Sequence, residues 1–376
     1  MKSTAAASDP PGATYYRSLD GLRGLAALMV AYGHAGYFGW VPLTAGSATI
    51  GVILFFFLSG FLMAHHYMPV TASGALSGRS LKYWAAFLLR RSVRVYPPYL
   101  FAPVVGYLLL MPRMPPDFQR RAQFADLAVF DELIKIATFQ GELGIYWTIQ
   151  AELLFYLLYP LVITLCLLVG RRAWTLLALS LALMVLNHFP DGVAGISWRV
   201  PLPGMWTGYL SIFVAGAFTA RVARKIPGAW SGKPLPWNAI TLISFAALAL
   251  MVALISRSSP TQASIWQLEW LCAGLFLVMF VGLVRSDGTV GRLLSSRIGV
   301  ALGRVSYSLY LVHIVAYYCA IKYLSAAQYG VLAAALALLL LVPAYYVLFE
   351  RPFVQLSKSI AVNGGIGRPV TVGTDA

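Results

Sequence analysis

The side chains in this sequence that could do chemistry are few, and most stand inside apolar runs. Arg23 and His34 lie in the stretch Tyr16-Arg-Ser-Leu-Asp-Gly-Leu-Arg-Gly-Leu-Ala-Ala-Leu-Met-Val-Ala-Tyr-Gly-His34. Their spacing of 11 residues, at about 100° per residue, is three turns plus about 20°. A helix therefore carries both on one face, with Cα atoms about 16 Å apart, roughly half the hydrocarbon thickness of a bilayer. Neutral imidazole persists at physiological pH, so His34 is suited to take a proton from a hydroxyl; the alternative is a hydrogen-bonded helix-packing residue. Arg23 is either an interfacial anchor or an anion ligand, and Asp20, one turn before it, is placed to pair with it.

A second basic group follows in Arg90-Arg-Ser-Val-Arg-Val-Tyr-Pro-Pro98. Guanidinium groups bind phosphates through bidentate hydrogen bonds, and Arg91 and Arg94, one turn apart at the start of an expected helix, present two such prongs. Ordinary basic anchoring at a membrane boundary is the competing reading. Glu152, Tyr156 and Tyr159 share a helix face. A carboxylate at that depth must be paired, hydrogen-bonded or protonated. Glu152 either pairs with the arginines or positions a substrate hydroxyl. Ser59 and Gly60, in Phe55-Phe-Phe-Leu-Ser-Gly-Phe61, suit close helix packing. His65 and His66 follow at a boundary, and Tyr310 and Tyr317 flank His313. Glu350 and Arg351 are placed for an interfacial ion pair, and Glu269 is given no role.

The elements that must position these groups are set by composition. Of 376 residues, 59% are hydrophobic and only 11% charged, with a mean hydropathy of +0.74. Such figures exclude a soluble globular domain, a disordered chain and a disulfide scaffold. Cys166, Cys272 and Cys319 all lie in apolar stretches without CxxC spacing and read as packing residues. The net charge of +15 would suggest nucleic acid in a soluble protein; diluted by apolar runs, it suggests membrane sorting, and no nucleic-acid partner is expected.

Ten stretches are long and apolar enough to suggest crossings: 20–38, 49–67, 95–111, 146–169, 173–189, 206–220, 238–256, 266–284, 305–322 and 330–349. With the N-terminus in the cytoplasm and sides alternating, 21 of the 28 basic residues fall inside and seven outside. The fold class expected is therefore all-α: a polytopic membrane protein of about ten helices with both termini cytoplasmic. Residues 1–15 read as a flexible tail without signal-peptide features, 16–355 as the membrane domain, and 356–376 as a cytoplasmic tail. One long outside loop, 112–145, holds an amphipathic helix beginning at Asp126, readable as a surface helix or as a lid.

In order along the chain, these segments resemble the acyltransferase-3 family of integral membrane proteins. The matching landmarks are Leu-Asp-Gly-Leu-Arg-Gly-Leu-Ala with Arg23 and His34; Phe-Phe-Phe-Leu-Ser-Gly-Phe; Arg-Arg-x-x-Arg-x-Tyr-Pro; Trp-Thr-x-x-x-Glu-x-x-Phe-Tyr; Ser-Tyr-Ser-Leu-Tyr-Leu-x-His; and Glu-Arg-Pro. The resemblance covers Leu19 to Phe353. It implies about ten helices and transfer of an acyl group, commonly acetyl from acetyl-CoA, onto a carbohydrate such as an exported glycan. It carries onto Arg23 and His34 as essential residues, onto Arg91 and Arg94 with Arg90 beside them as the acyl-donor site, and onto Glu152 and His313.

Asp20 and Ser59 complete the expected site, which contains no metal. Expected partners are acyl-CoA, a carbohydrate acceptor, the lipid of a bacterial cytoplasmic (inner) membrane, and glycan-assembly proteins. The hydrolase-like domain that some members carry is not expected here. The competing class is a transporter or flippase for acyl groups or glycans; against it stands the lack of repeated halves or paired interrupted helices.

Overall fold

A computed structural model describes residues 15–42, 45–67, 81–110, 138, 144–169, 172–188, 209–223, 225–226, 229–230, 233–257, 262–285, 288–324 and 326–363. The tails 1–14 and 364–376 and the loop helix expected near Asp126 lie outside the described residues. Apart from a two-residue antiparallel ladder, Ala229–Trp230 with Lys233–Pro234, the regular elements are helices. They are α1 (Arg17–Tyr37), α2 (Ala45–Tyr67), α3 (Leu81–Leu110), α4 (Trp147–Leu168, entered through a 3₁₀ turn at Gly144–Tyr146), α5 (Arg172–His188) and α6 (Leu210–Ala223). Then come α7 (Trp237–Arg257), α8 (Gln262–Arg285), α9 (Thr289–Leu294), α10 (Arg297–Tyr323), α11 (Ala326–Tyr345), a π-helical turn (Tyr346–Glu350) and α12 (Arg351–Asn363).

Each stretch expected to cross a membrane falls on one of these helices. By length and composition, seven are apolar enough to do so: most of α2, α3, α4, α7, α8 and α10, and α11 continued through the π turn into α12. The other three expected crossings fall short for separate reasons. α1 carries Arg17, Asp20 and Arg23, while α5 and α6 span 17 and 14 residues among those described. Leu332 and Leu339 on α11 are each 72% exposed. An outward apolar stripe of that kind needs lipid as its solvent.

The middle of the bundle is made by α1, α2 and α10. α1 packs between the other two, and α2 also packs against α6. Without a hydrophobic drive between helices in lipid, such contacts depend on small residues that let backbones approach. Gly303 of α10 lies against the backbone of Asp20, and Gly24 of α1 against Leu302 and Gly303; Gly60 of α2 and Gly216 of α6 make the equivalent crossing against Phe213 and Phe57. Tyrosine hydroxyls then fix the register. Tyr317 donates to Ala31 O at 2.7 Å, and Tyr146 to Leu311 O at 3.0 Å.

One expected boundary moves. α3 begins at Leu81 rather than near residue 95, so Arg90, Arg91 and Arg94 sit inside a 30-residue helix and not at its start. The run Leu81-Lys-Tyr-Trp-Ala-Ala-Phe-Leu-Leu has no breaker, and the helix continues through Pro97, Pro98 and Pro103. Tyr307 of α10 donates to Val95 O at 2.7 Å and Tyr345 of α11 to Pro98 O, which ties the proline-containing stretch to its neighbours. At its other end, the Lys322 ammonium caps α3 by donating to Leu109 O and Leu110 O at 3.0 and 2.8 Å.

Gly303→Val should drive a side chain into the Asp20 backbone and cost about 1–3 kcal/mol, the usual price of overpacking. Its melting temperature in detergent is expected to fall by several degrees. Gly274→Val, whose added Cβ meets nothing within 4 Å, is the control and should match the parent. Equal stability of both variants would contradict the close α1–α10 crossing.

Candidate active site

Five helices (α1, α2, α3, α4 and α10) and the π turn bring most of the expected site residues together in two linked groups. The first surrounds the arginines. Arg23 on α1 is within electrostatic range of Arg94, Asp20, Glu152 and Arg91. Arg91 on α3 lies over two rings, 5.3 Å from the Tyr67 centroid and 5.4 Å from that of Tyr156, and its Nε is buried without a hydrogen-bond partner among the described residues. Arg90 donates to the Tyr67 hydroxyl at 3.0 Å. Tyr67, at the end of α2, thus braces two neighbouring guanidinium groups. No periodicity in its own segment marks it for that role.

Glu152 sits at the junction. Its Oε1 accepts from Ser59 Oγ at 3.1 Å and from the Tyr156 hydroxyl one turn along α4. Ser59, read as a helix-packing residue, therefore also supplies a hydrogen bond to the carboxylate, while Gly60 beside it provides the close approach. Asp20 accepts from Tyr15 instead of being held by Arg23 alone.

Glu350 departs from expectation. It does not form an interfacial pair with Arg351, which is exposed; it is 4% exposed and turned inward, accepting from Ser308 N at 3.0 Å and from Ser308 Oγ. The π turn rotates this last residue toward α10, an effect that a plain 3.6-residue period misses. Inward-facing, Glu350 comes within electrostatic range of Arg94 and Arg23. Four guanidinium groups (Arg23, Arg90, Arg91, Arg94) thus share this end of the bundle with three carboxyl groups (Asp20, Glu152, Glu350), an excess of positive charge even with every carboxyl ionised.

The second group lies about three helical turns along α1. His34 Nδ1 is 2.9 Å from Val30 O and 3.1 Å from His313 Nε2. His313 is fully buried on α10, and its Nδ1 is 2.7 Å from Tyr310 O and 3.2 Å from Leu309 O. His34 is only half-buried, with the exposed Tyr37 ring 5.8 Å away. The Tyr310 hydroxyl meets Thr148 Oγ1 at 2.6 Å and donates to Ile145 O. Thr148 and Glu152 are one turn apart on α4, and Tyr310 feels the Glu152 charge, so the two groups form one polar track. The i, i+4 spacing of Thr148 and Glu152 is the sequence signal that would have found Thr148. His65 is buried, stacked on Phe61 and 5.4 Å from the Tyr16 ring, while His66 is exposed.

Glu269 heads a separate buried cluster, accepting from Ser211 Oγ at 3.0 Å. Among the described residues, no cluster of three or more His, Cys, Asp or Glu side chains is placed to hold a metal ion.

An all-helical, lipid-exposed bundle with a buried arginine cluster and an imidazole along the same track describes a class of polytopic membrane proteins with an internal polar site. The chain belongs to the acyltransferase-3 family of membrane acyltransferases, whose acyltransferase domain matches residues 16–349. Among curated relatives, "Acyltransferase MdmB" of Streptomyces mycarofaciens is 26% identical over 330 residues, 81% of this chain and 79% of that protein. "Protein 2 in picA locus" of Rhizobium radiobacter is 40% identical over 85 residues, 22% of this chain, and the match spans two fifths of that protein's length. No solved structure matches significantly.

Glu152→Gln keeps an oxygen to accept from Ser59 and Tyr156 and removes only the charge. Loss of a charged hydrogen-bond partner is worth about 1.5–3 kcal/mol, or about 10–100-fold. Turnover measured on purified protein is expected to drop by that factor with the melting temperature nearly unchanged. Full turnover with a lowered melting temperature would give Glu152 a structural role alone.

Proposed function

We propose that this chain is an O-acyltransferase of a bacterial cytoplasmic (inner) membrane. It moves an acyl group, acetyl being expected, from an acyl-CoA to a hydroxyl of a carbohydrate such as an exported or cell-surface glycan. The observation that carries the reading is the polar track itself: an anion-suited arginine cluster at one end and a half-buried imidazole about 16 Å along the same helix.

The arginine cluster fits the polyanionic end of the donor. Arg91 and Arg94 receive the phosphates, with Arg90 and Arg23 at their sides, and the excess positive charge found there is relieved by binding. The buried Arg91 Nε–H, without a partner among the described residues, is a donor that such a contact would satisfy. The charge asymmetry of the loops puts this end on the cytoplasmic side, where acyl-CoA is made. The flexible pantetheine arm then runs along the track and delivers the thioester toward His34.

A thioester needs positioning and a base rather than further activation. His34 takes the proton of the acceptor hydroxyl as that oxygen attacks the acyl carbon. The tetrahedral intermediate collapses, the carbon–sulfur bond breaks, and the proton passes to the departing thiolate to give free CoA. Base assistance of this kind is worth about 10²–10⁴-fold. Direct attack by the sugar hydroxyl satisfies the atom balance without a covalent enzyme intermediate.

Two results test this reading. Glycans from a deletion strain complemented with His34→Ala, analysed by mass spectrometry, should lack the acyl mass that the parent gene restores; restoration by the variant would remove His34 as the base. For the donor site, Arg94→Ala should raise the donor KM about 10–100-fold, the worth of a charged hydrogen bond. An unchanged KM would move the phosphate site elsewhere.

A further inference from the structure

The two imidazoles stand in an arrangement that fixes where their protons are. A backbone carbonyl can only accept a hydrogen bond. His313 Nδ1 lies 2.7 Å from Tyr310 O and 3.2 Å from Leu309 O, so it carries the hydrogen, and the Nε2 of a neutral His313 is a bare lone pair. That lone pair is 3.1 Å from His34 Nδ1. His34 Nδ1 also lies 2.9 Å from Val30 O. Both neighbours of His34 Nδ1 are therefore acceptors, and this nitrogen must hold the hydrogen as well.

We infer that His313 is a positioning residue: together with Val30 O it holds His34 as the Nδ1–H tautomer, it aims the ring, and it leaves His34 Nε2 as the bare nitrogen that faces the reacting hydroxyl. This deepens, and rests on, the reading of His34 as the base. When His34 Nε2 takes a proton, the imidazolium donates more strongly from Nδ1–H to His313 Nε2, because a charged donor makes the stronger hydrogen bond. A carboxylate in the same position would serve the same end in water-filled sites. At this depth it would add a buried charge, which lipid surroundings make expensive, whereas a neutral imidazole adds none.

The pairing is built in from several sides. Tyr317 donates to Ala31 O, one turn from His34 on α1, and holds α10 against it. Tyr310 is anchored on Thr148 and Ile145, which fixes the backbone that accepts from His313. The His313 ring also lies face to edge with Tyr317, 5.9 Å away at 80°.

The test compares His313→Leu and His313→Gln with the parent, using ¹⁵N-histidine NMR of the purified full-length protein together with acyl-transfer kinetics. In the parent, the His34 resonance, assigned by its loss in His34→Ala, should report a protonated Nδ1 and a bare Nε2. His313→Leu should leave Val30 O as the remaining partner of His34 Nδ1–H, shift the Nδ1 resonance and lower kcat by up to about 10²-fold, the scale of a misoriented reacting group, with donor KM unchanged. His313→Gln, whose side-chain oxygen can accept from His34 Nδ1–H, should recover part of both. Should His313→Leu fold poorly, the glutamine variant and the parent spectrum still decide the matter.

An Nε2–H tautomer of His34 in the parent overturns the inference. So does a drop in kcat with the His34 Nδ1 resonance unmoved, or unchanged kcat in a folded His313→Leu. Should His34→Ala retain full transfer, the base reading falls on kinetics alone, while the tautomer lock is judged separately by the spectrum.

Discussion

The α1–α10 crossing is the contact on which the rest of the site depends. Gly24 and Gly303 bring the two backbones close enough that Tyr317 can donate to Ala31 O. At that separation His34 and His313 come within hydrogen-bond distance, although 279 residues separate them. The same crossing holds Arg23 in register with the arginines of α3 and with Glu152. Helices in lipid gain little from burying apolar area against one another, so such a site has to be assembled by close packing and interhelical hydrogen bonds. Glycine supplies the first and tyrosine much of the second.

Polar groups in this bundle are spent on two ends. Hydroxyls of Tyr307, Tyr317, Tyr345 and Tyr146 go to backbone carbonyls and hold helices together. Those of Tyr67, Tyr156 and Ser59 go to charged side chains and shape the arginine end. A buried charge survives at membrane depth only when its partners are supplied, and Glu152 and Glu350 each accept two hydrogen bonds from side chain or backbone. Two carboxyl groups so held leave the guanidinium groups around them in excess, a condition that favours an anionic ligand.

Local regularities carried much of this into the sequence. The 11-residue spacing of Arg23 and His34, the one-turn step from Glu152 to Tyr156, and the apolar runs that became helices are all properties of short segments. Contacts between distant segments were not legible in that way. Nothing near residue 34 marks His313 as its partner, and nothing near Arg90 marks Tyr67. Glu350 differs from expectation for a local reason: its place at the end of the apolar run suggests the interface, whereas it ends a π turn with its side chain on Ser308. The early start of α3 is also a local matter: no breaker interrupts residues 81–89, and the helix runs on through the arginines and prolines.

The most direct test of the central claim is transfer by the purified protein alone, in detergent, with acetyl-CoA labelled in its acetyl group and glycan extracted from a deletion strain. The account expects label to appear on the glycan with equimolar free CoA, in the parent but not in His34→Ala, and without any need for sealed vesicles. Label that stays on CoA, or a glycan that crosses sealed vesicles with its mass unchanged, would contradict it.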